Sequence, residues 1–89
     1  MDRIDPFLHI LPNIDVHGYT EDMVMTVVNE FIDDCYKLGY DKIYVIHGKG
    51  YGILKRKIHS SLKHNRKVKN FYLYNFNTGC TIIELVERR

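Results

Sequence analysis

Ile43-Tyr44-Val45-Ile46 is an uninterrupted apolar run, too short for a helix and rich in β-branched residues. A run this continuously apolar does not suit a half-exposed edge, so it predicts a central strand of the sheet. The covering elements are legible on either side. Upstream, Val24, Val27, Val28, Phe31, Cys35 and Leu38 recur at helical spacing. Thr20 is placed to cap that helix, Glu21 and Asp22 sit where its dipole favours anions, and Gly39 supplies the stop. Downstream, Leu54, Ile58 and Leu62 form one stripe of a second helix, whose other positions include Lys55, Arg56, Lys57, His59, Lys63 and His64.

Three further strands complete the pattern. Asn13 to His17 alternates polar and apolar residues, and Val68 to Asn75 and Thr81 to Val86 read as a hairpin turning at Asn77-Thr78-Gly79. The order strand, helix, strand, helix, strand, strand predicts an α/β fold of the α+β two-layer kind, with helices over a four-stranded mixed sheet. Right-handed crossovers make the first three strands parallel, and the last runs antiparallel to its hairpin mate. Residues 1–12, broken by Pro6 and Pro12, read as an extended arm, leaving 13–89 as the domain. Eighty-nine residues hold one core.

At 45% hydrophobic and 27% charged residues, collagen-like, low-complexity and disordered classes are excluded. No apolar run approaches the ~20 residues a bilayer requires, and Met1-Asp2-Arg3-Ile4-Asp5 has no signal-peptide character. The expectation is a soluble, cytoplasmic chain with no membrane partner. Cys35 and Cys80 lack metal-site spacing and read as small core hydrophobes. Charge is divided sharply: Met1 to Gly48 has three basic and nine acidic residues, Lys49 to Arg89 ten basic and two acidic, for net charges of −6 and +8. The second half should present a basic surface, which attracts polyanions whatever the total charge.

Parallel strands deliver their carboxyl ends to one edge, where open α/β sheets bind ligands. His17-Gly18 follows the first strand and His47-Gly48 the second, so two imidazoles should converge there. Gly48, Gly50 and Gly52 allow the backbone to approach an anion closely at a helix start, and Lys49 adds charge in the same loop. The spacing fits neither a P-loop nor a dinucleotide fingerprint. Asp15 and His17, two apart on a strand, share a face: the carboxylate either orients the imidazole or holds a divalent metal while the imidazole moves a proton. His47 is then the complementary acid or a donor to the phosphate. His9, His59 and His64 read as surface residues.

Ile14-Asp15-Val16-His17-Gly18, an amphipathic helix, and Ile46-His47-Gly48-Lys49-Gly50-Tyr51-Gly52-Ile53-Leu54-Lys55 together resemble the Smr (small MutS-related) domain, with its L-D-x-H-G and H-G-x-G-x-G motifs followed by Leu-Arg. The resemblance covers roughly Asn13 to Glu87. It implies a fold like the C-terminal domain of translation initiation factor 3, with both helices on one face of the sheet. It also implies a nucleic-acid partner and, as in several members, endonuclease activity that nicks DNA or cuts RNA, with a link to DNA repair, recombination or RNA quality control. Ile14 replaces the leading Leu, Lys55 stands where Arg is usual with Arg56 beside it, and the late glycine-rich turn keeps only Gly79. The chain is expected to be free-standing, without the ATPase or clamp domain that accompanies the motif elsewhere.

The expected catalytic residues are thus Asp15, His17 and His47, with Gly48, Lys49, Gly50, Gly52, Lys55 and Arg56 on nucleic acid. If a divalent cation (Mg²⁺ or Mn²⁺) takes part, Asp15 is its ligand. The rival is a binding module for branched or structured nucleic acid that cuts nothing, with Tyr51 and Tyr19 against sugars or bases. A third reading is a protein-interaction domain using Phe7 to Leu11, as a monomer or as a weak dimer through the arm.

Overall fold

The computed structural model describes residues 11–49, 52–74 and 77–87. The expectations placed on residues 1–10 of the arm, on Gly50 and on Tyr51 lie outside the described residues. The chain runs β1 (Asn13–Asp15), α1 (Glu21–Lys37), β2 (Lys42–Ile46), α2 (Ile53–Leu62), β3 (Val68–Tyr74) and β4 (Asn77–Leu85). The sheet order is β1-β2-β4-β3. β1 and β2 are parallel, and β4 is antiparallel to both of its neighbours, so the first three strands point the same way. β4 enters the gap between β2 and β3, which makes β2 interior as its apolar run demands.

Both helices cover one face. Ile43 and Val45 of β2, with Ile83 and Leu85 of β4, form a single buried cluster with Val24, Val28, Ile32 and Cys35 of α1 and Ile58 and Leu62 of α2. These strand residues alternate along β2 and β4, and Ile43 stands opposite Ile83 in register, so all four side chains leave the same side of the sheet. Cys35 and Cys80 are buried free thiols whose pKa burial pushes up. No described helix is long and apolar enough to cross a membrane.

The helix ends differ in detail from their sequence signals. Thr20 occupies the N-cap of α1, but its side chain makes no capping bond. The Met23 N–H that the hydroxyl would accept is taken at 3.2 Å by Thr20's own carbonyl. Leu38 is 74% exposed, and Ile32, absent from the expected stripe, fills the core in its place. Gly39, at φ +87°, ends α1 with paired bonds from Gly39 N–H to Tyr36 O and from Tyr40 N–H to Cys35 O.

The hairpin needs a larger correction. Asn77, Thr78 and Gly79, expected to turn, belong to β4. Leu73 faces Thr81 but Tyr74 faces Asn77, so the register shifts between them and β4 bulges there. That bulge points the Gly79 carbonyl toward β2, where it accepts the N–H groups of His47 and Gly48.

Candidate functional site

The two His-Gly corners meet. Asp15 pairs with Ile46 in the parallel ladder, and a Cβ placed on Gly48 would lie 3.4 Å from His17 Cβ. The Val16 N–H donates to Ile46 O at 2.8 Å, and Val16 is fully buried, which sends Asp15 and His17 to the opposite, solvent side. Asp15 Oδ1 accepts the His17 backbone N–H at 3.1 Å and lies 2.5 Å from His17 Nδ1. An ionised carboxylate only accepts, so Nδ1 carries a proton, and the tautomer this selects has Nε2 as its base. These bonds from His17 hold the Asp15 carboxyl below its ordinary pKa, so it is ionised throughout the neutral range. A shallow cleft of about 530 Å³ opens beside the pair, lined by Asp15, His17, Gly18, Tyr19, Thr20 and Met23.

His47 comes from the neighbouring corner but turns inward. It is 5% exposed, with Nδ1 2.9 Å from the Gly48 carbonyl and Nε2 2.8 Å from Thr81 Oγ1. Burial pushes its pKa down, and the nearby Lys55 charge acts in the same direction. Both ring nitrogens are engaged within the fold, so this geometry does not offer the His47 ring to a ligand as the sequence reading anticipated. The Gly48 amide, expected to face a phosphate, donates instead to Gly79 O at 3.0 Å, beside the His47 N–H at 2.8 Å.

The cationic part of the site gathers at the start of α2. Gly52 is its N-cap at φ +77°, and no acidic residue occupies the first turn, whereas α1 has Glu21 and Asp22 there. A Cβ on Gly52 would lie 3.7 Å from both Lys55 Cε and Arg56 Nη1 and 4.0 Å from Lys55 Nζ, so both long side chains fold back over the helix start. Lys49 is exposed in the connecting loop. First-turn amides and two cations therefore stand together, an arrangement suited to an anion.

Sequence reasoning missed His59 and Thr81. His59, expected at the surface, is half-buried, with Nε2 2.7 Å from Thr81 Oγ1 and its ring edge-on to Phe71 at 4.9 Å between centroids. Its one sequence signal is a position three residues before Leu62 and next to Ile58, on the shoulder of the apolar stripe. Among the described residues no three His, Cys, Asp or Glu side chains converge to hold a metal. Asp15 is the one carboxylate of the dyad, and its Oδ1 is already bonded to His17. This set makes a poor cage for a hard cation.

Comparison with known proteins identifies the fold and the family. The family model for the Smr domain matches residues 14–86. The chain is 38% identical over 79 residues to endonuclease MutS2 of Pelotomaculum thermopropionicum, an alignment covering 85% of this chain and 10% of that protein. It is 39% identical over 71 residues to endonuclease MutS2 of Lactiplantibacillus plantarum, covering 80% and 9% respectively. The chain thus spans about a tenth of the length of these relatives. Among solved structures, the Smr domain of Thermus thermophilus MutS2 superposes with a TM-score of 0.83 at 24% identity, covering 85% of this chain and 99% of that one. YdaL, a stand-alone small MutS-related protein of Escherichia coli, superposes with a TM-score of 0.77 at 17% identity, covering 86% and 64%. At these identities the superpositions speak to fold alone, but the family model spans most of the chain, and the chain belongs to the Smr domain family.

Proposed function

We propose that this chain is a nucleic-acid endonuclease in which Asp15 and His17 form the catalytic pair and the start of α2 holds the phosphodiester. The observation that carries the reading is the exposed imidazole hydrogen-bonded through Nδ1 to Asp15 at the Gly48 corner, whose loop leads into a helix start overhung by Lys55 and Arg56. The naming of the MutS2 relatives as endonucleases supports it. His17 Nε2 takes a proton from water, or from a ribose 2′-hydroxyl, as that oxygen attacks phosphorus. The bond from phosphorus to the leaving oxygen breaks, and that oxygen takes a proton from solvent. Lys49, Lys55, Arg56 and the Gly52 end of α2 stabilise the charge that develops on the phosphoryl oxygens. His47 holds the corner rather than reacting.

General-base catalysis of this kind contributes roughly 10²- to 10⁴-fold, which sets the expected loss in His17→Ala. The test is incubation of purified protein with supercoiled plasmid and with labelled RNA, with and without chelator. If neither is cut, or if His17→Ala cuts as fast as the parent, the catalytic assignment fails. Salt-sensitive binding without products, persisting in Asp15→Ala and His17→Ala, would select the binding-module alternative.

A further inference from the structure

We propose that His59 and Thr81 are positioning residues: they lock His47 in one tautomer and, through it, fix the carbonyl of Gly48 and the shape of the corner beside His17. The assignment follows from counting donors. The Gly48 carbonyl can only accept, so at 2.9 Å His47 Nδ1 must carry the proton. A neutral His47 then has a bare Nε2, and the Thr81 hydroxyl 2.8 Å away must donate its one hydrogen there. Thr81 Oγ1 can now only accept from its remaining neighbour, so His59 Nε2, at 2.7 Å, must be the protonated nitrogen of that ring. Each step leaves the next no choice. Thr81 is fully buried, so its hydroxyl has no water to turn to.

Three pieces of chain far apart in sequence meet in this lock: the end of β2, the second turn of α2 and the middle of β4. Phe71 of β3 braces the far ring, its plane 70° from that of His59. The lock requires His47 neutral, because a protonated His47 would present an N–H to Thr81 and reverse its hydroxyl, which would then have to donate to His59 Nε2; His59 keeps its Nε2–H, and its donation to Thr81, in either charge state. Burial disfavours the charged form of both rings, and the Lys55 charge adds to this. The chain of bonds ends on a peptide carbonyl, which takes no proton at working pH, so it is no proton wire to the substrate. Its action is geometric: it fixes the backbone at Gly48, whose position against His17 Cβ helps set where the dyad sits.

The consequence for phosphodiester binding rests on the functional reading above; the tautomers do not. Long-range ¹⁵N spectra of the histidine rings of the full chain at pH 7.5 are expected to show His47 protonated on Nδ1 and His59 on Nε2. Thr81→Val, which removes both bonds that Thr81 Oγ1 makes, should move the His47 ring nitrogens and weaken binding of a labelled single-stranded oligonucleotide about fivefold, the equivalent of about one buried hydrogen bond. Thr81→Ser, which keeps the hydroxyl, should restore both. If Thr81→Val fails to fold, His59→Gln, which retains a donor, against His59→Leu, which does not, makes the same comparison from the half-buried end. A native His47 protonated on Nε2, or ring shifts in Thr81→Val and His59→Leu identical to the parent's, overturns the lock whatever the protein cuts. Native tautomers as assigned in a protein that binds no nucleic acid would leave the lock standing and refute the functional reading instead.

Discussion

Replacing Asp15 with Asn removes one negative charge while keeping an oxygen where Oδ1 now accepts both His17 N–H groups, so it separates electrostatics from orientation. The magnitude follows from exposure. Asp15 and His17 leave 49% and 70% of their side chains in solvent. Charges about 4 Å apart interact by ~1 kcal/mol in water and ~4 kcal/mol at an effective dielectric constant of 20. With both groups this open, the attraction between Asp15 and the imidazolium formed at the transition state stays near the lower limit, about 1–2 kcal/mol. That is about 5- to 30-fold in rate, well short of the ~10²- to 10⁴-fold expected for loss of His17 itself. The assay is single-turnover cleavage of a labelled oligonucleotide at saturating protein, with binding followed by fluorescence anisotropy. Affinity should change by no more than about twofold, because Asp15 faces no phosphate in this scheme. A loss as large as that of His17→Ala would refute the reasoning by showing that the carboxylate touches the reacting atoms. No loss at all would reduce Asp15 to an acceptor for the His17 backbone amide.

Two further outcomes follow from the same geometry. His47 and His59 both have pKa values pushed by burial below the ordinary value of about 6.5. On acidification the unfolded chain therefore takes up protons first: stability is fully present above about pH 6.5, falls below it with a slope of up to ~1.4 kcal/mol per pH unit for each ring, and levels off past the lowered native values. Urea midpoints measured from pH 8 to pH 5 check this, and a flat profile between pH 6.5 and 5 contradicts it. Gly48 sits at φ +84° with His17 Cβ 3.4 Å from where its own Cβ would be, whereas a Cβ on Gly18 would meet nothing within 4 Å. Gly48→Ala should cost about 1–2 kcal/mol in chemical denaturation and Gly18→Ala less than about 0.5 kcal/mol; equal costs would show that the left-handed corner is not strained by a side chain.

What the sequence makes legible here is whatever depends on neighbours along the chain. The continuous apolar run of Ile43 to Ile46 requires an interior strand, and the period of Val24, Val28 and Cys35 requires a helix that buries them, so the two layers are readable before any coordinates. Asp15 and His17 share a face because residues two apart on a strand must. The meeting of the two corners needs one further rule, that right-handed crossovers make successive strands parallel and bring their carboxyl ends to one edge. Where several partners compete for one group, local signals mislead. Thr20 has the composition of a cap, yet its carbonyl reaches Met23 first; Asn77 to Gly79 have the composition of a turn, yet they extend β4.

His59 and Thr81 show where this kind of reading stops. They are 22 residues apart, and each is 12 or more from His47. No periodicity links them, because their meeting depends on β4 entering between β2 and β3 rather than adding to the sheet edge. In the edge arrangement Thr81 would lie a strand's width, about 4.8 Å, further from His47 and could not reach Nε2. The inward turn of the His47 ring, and with it the difference between an imidazole that reacts and one that holds the loop, is therefore decided by strand order. Two His-Gly corners that look alike as letters differ because β1 is an edge strand, which leaves His17 facing solvent, while β2 lies between two strands, one of which brings a hydroxyl to His47.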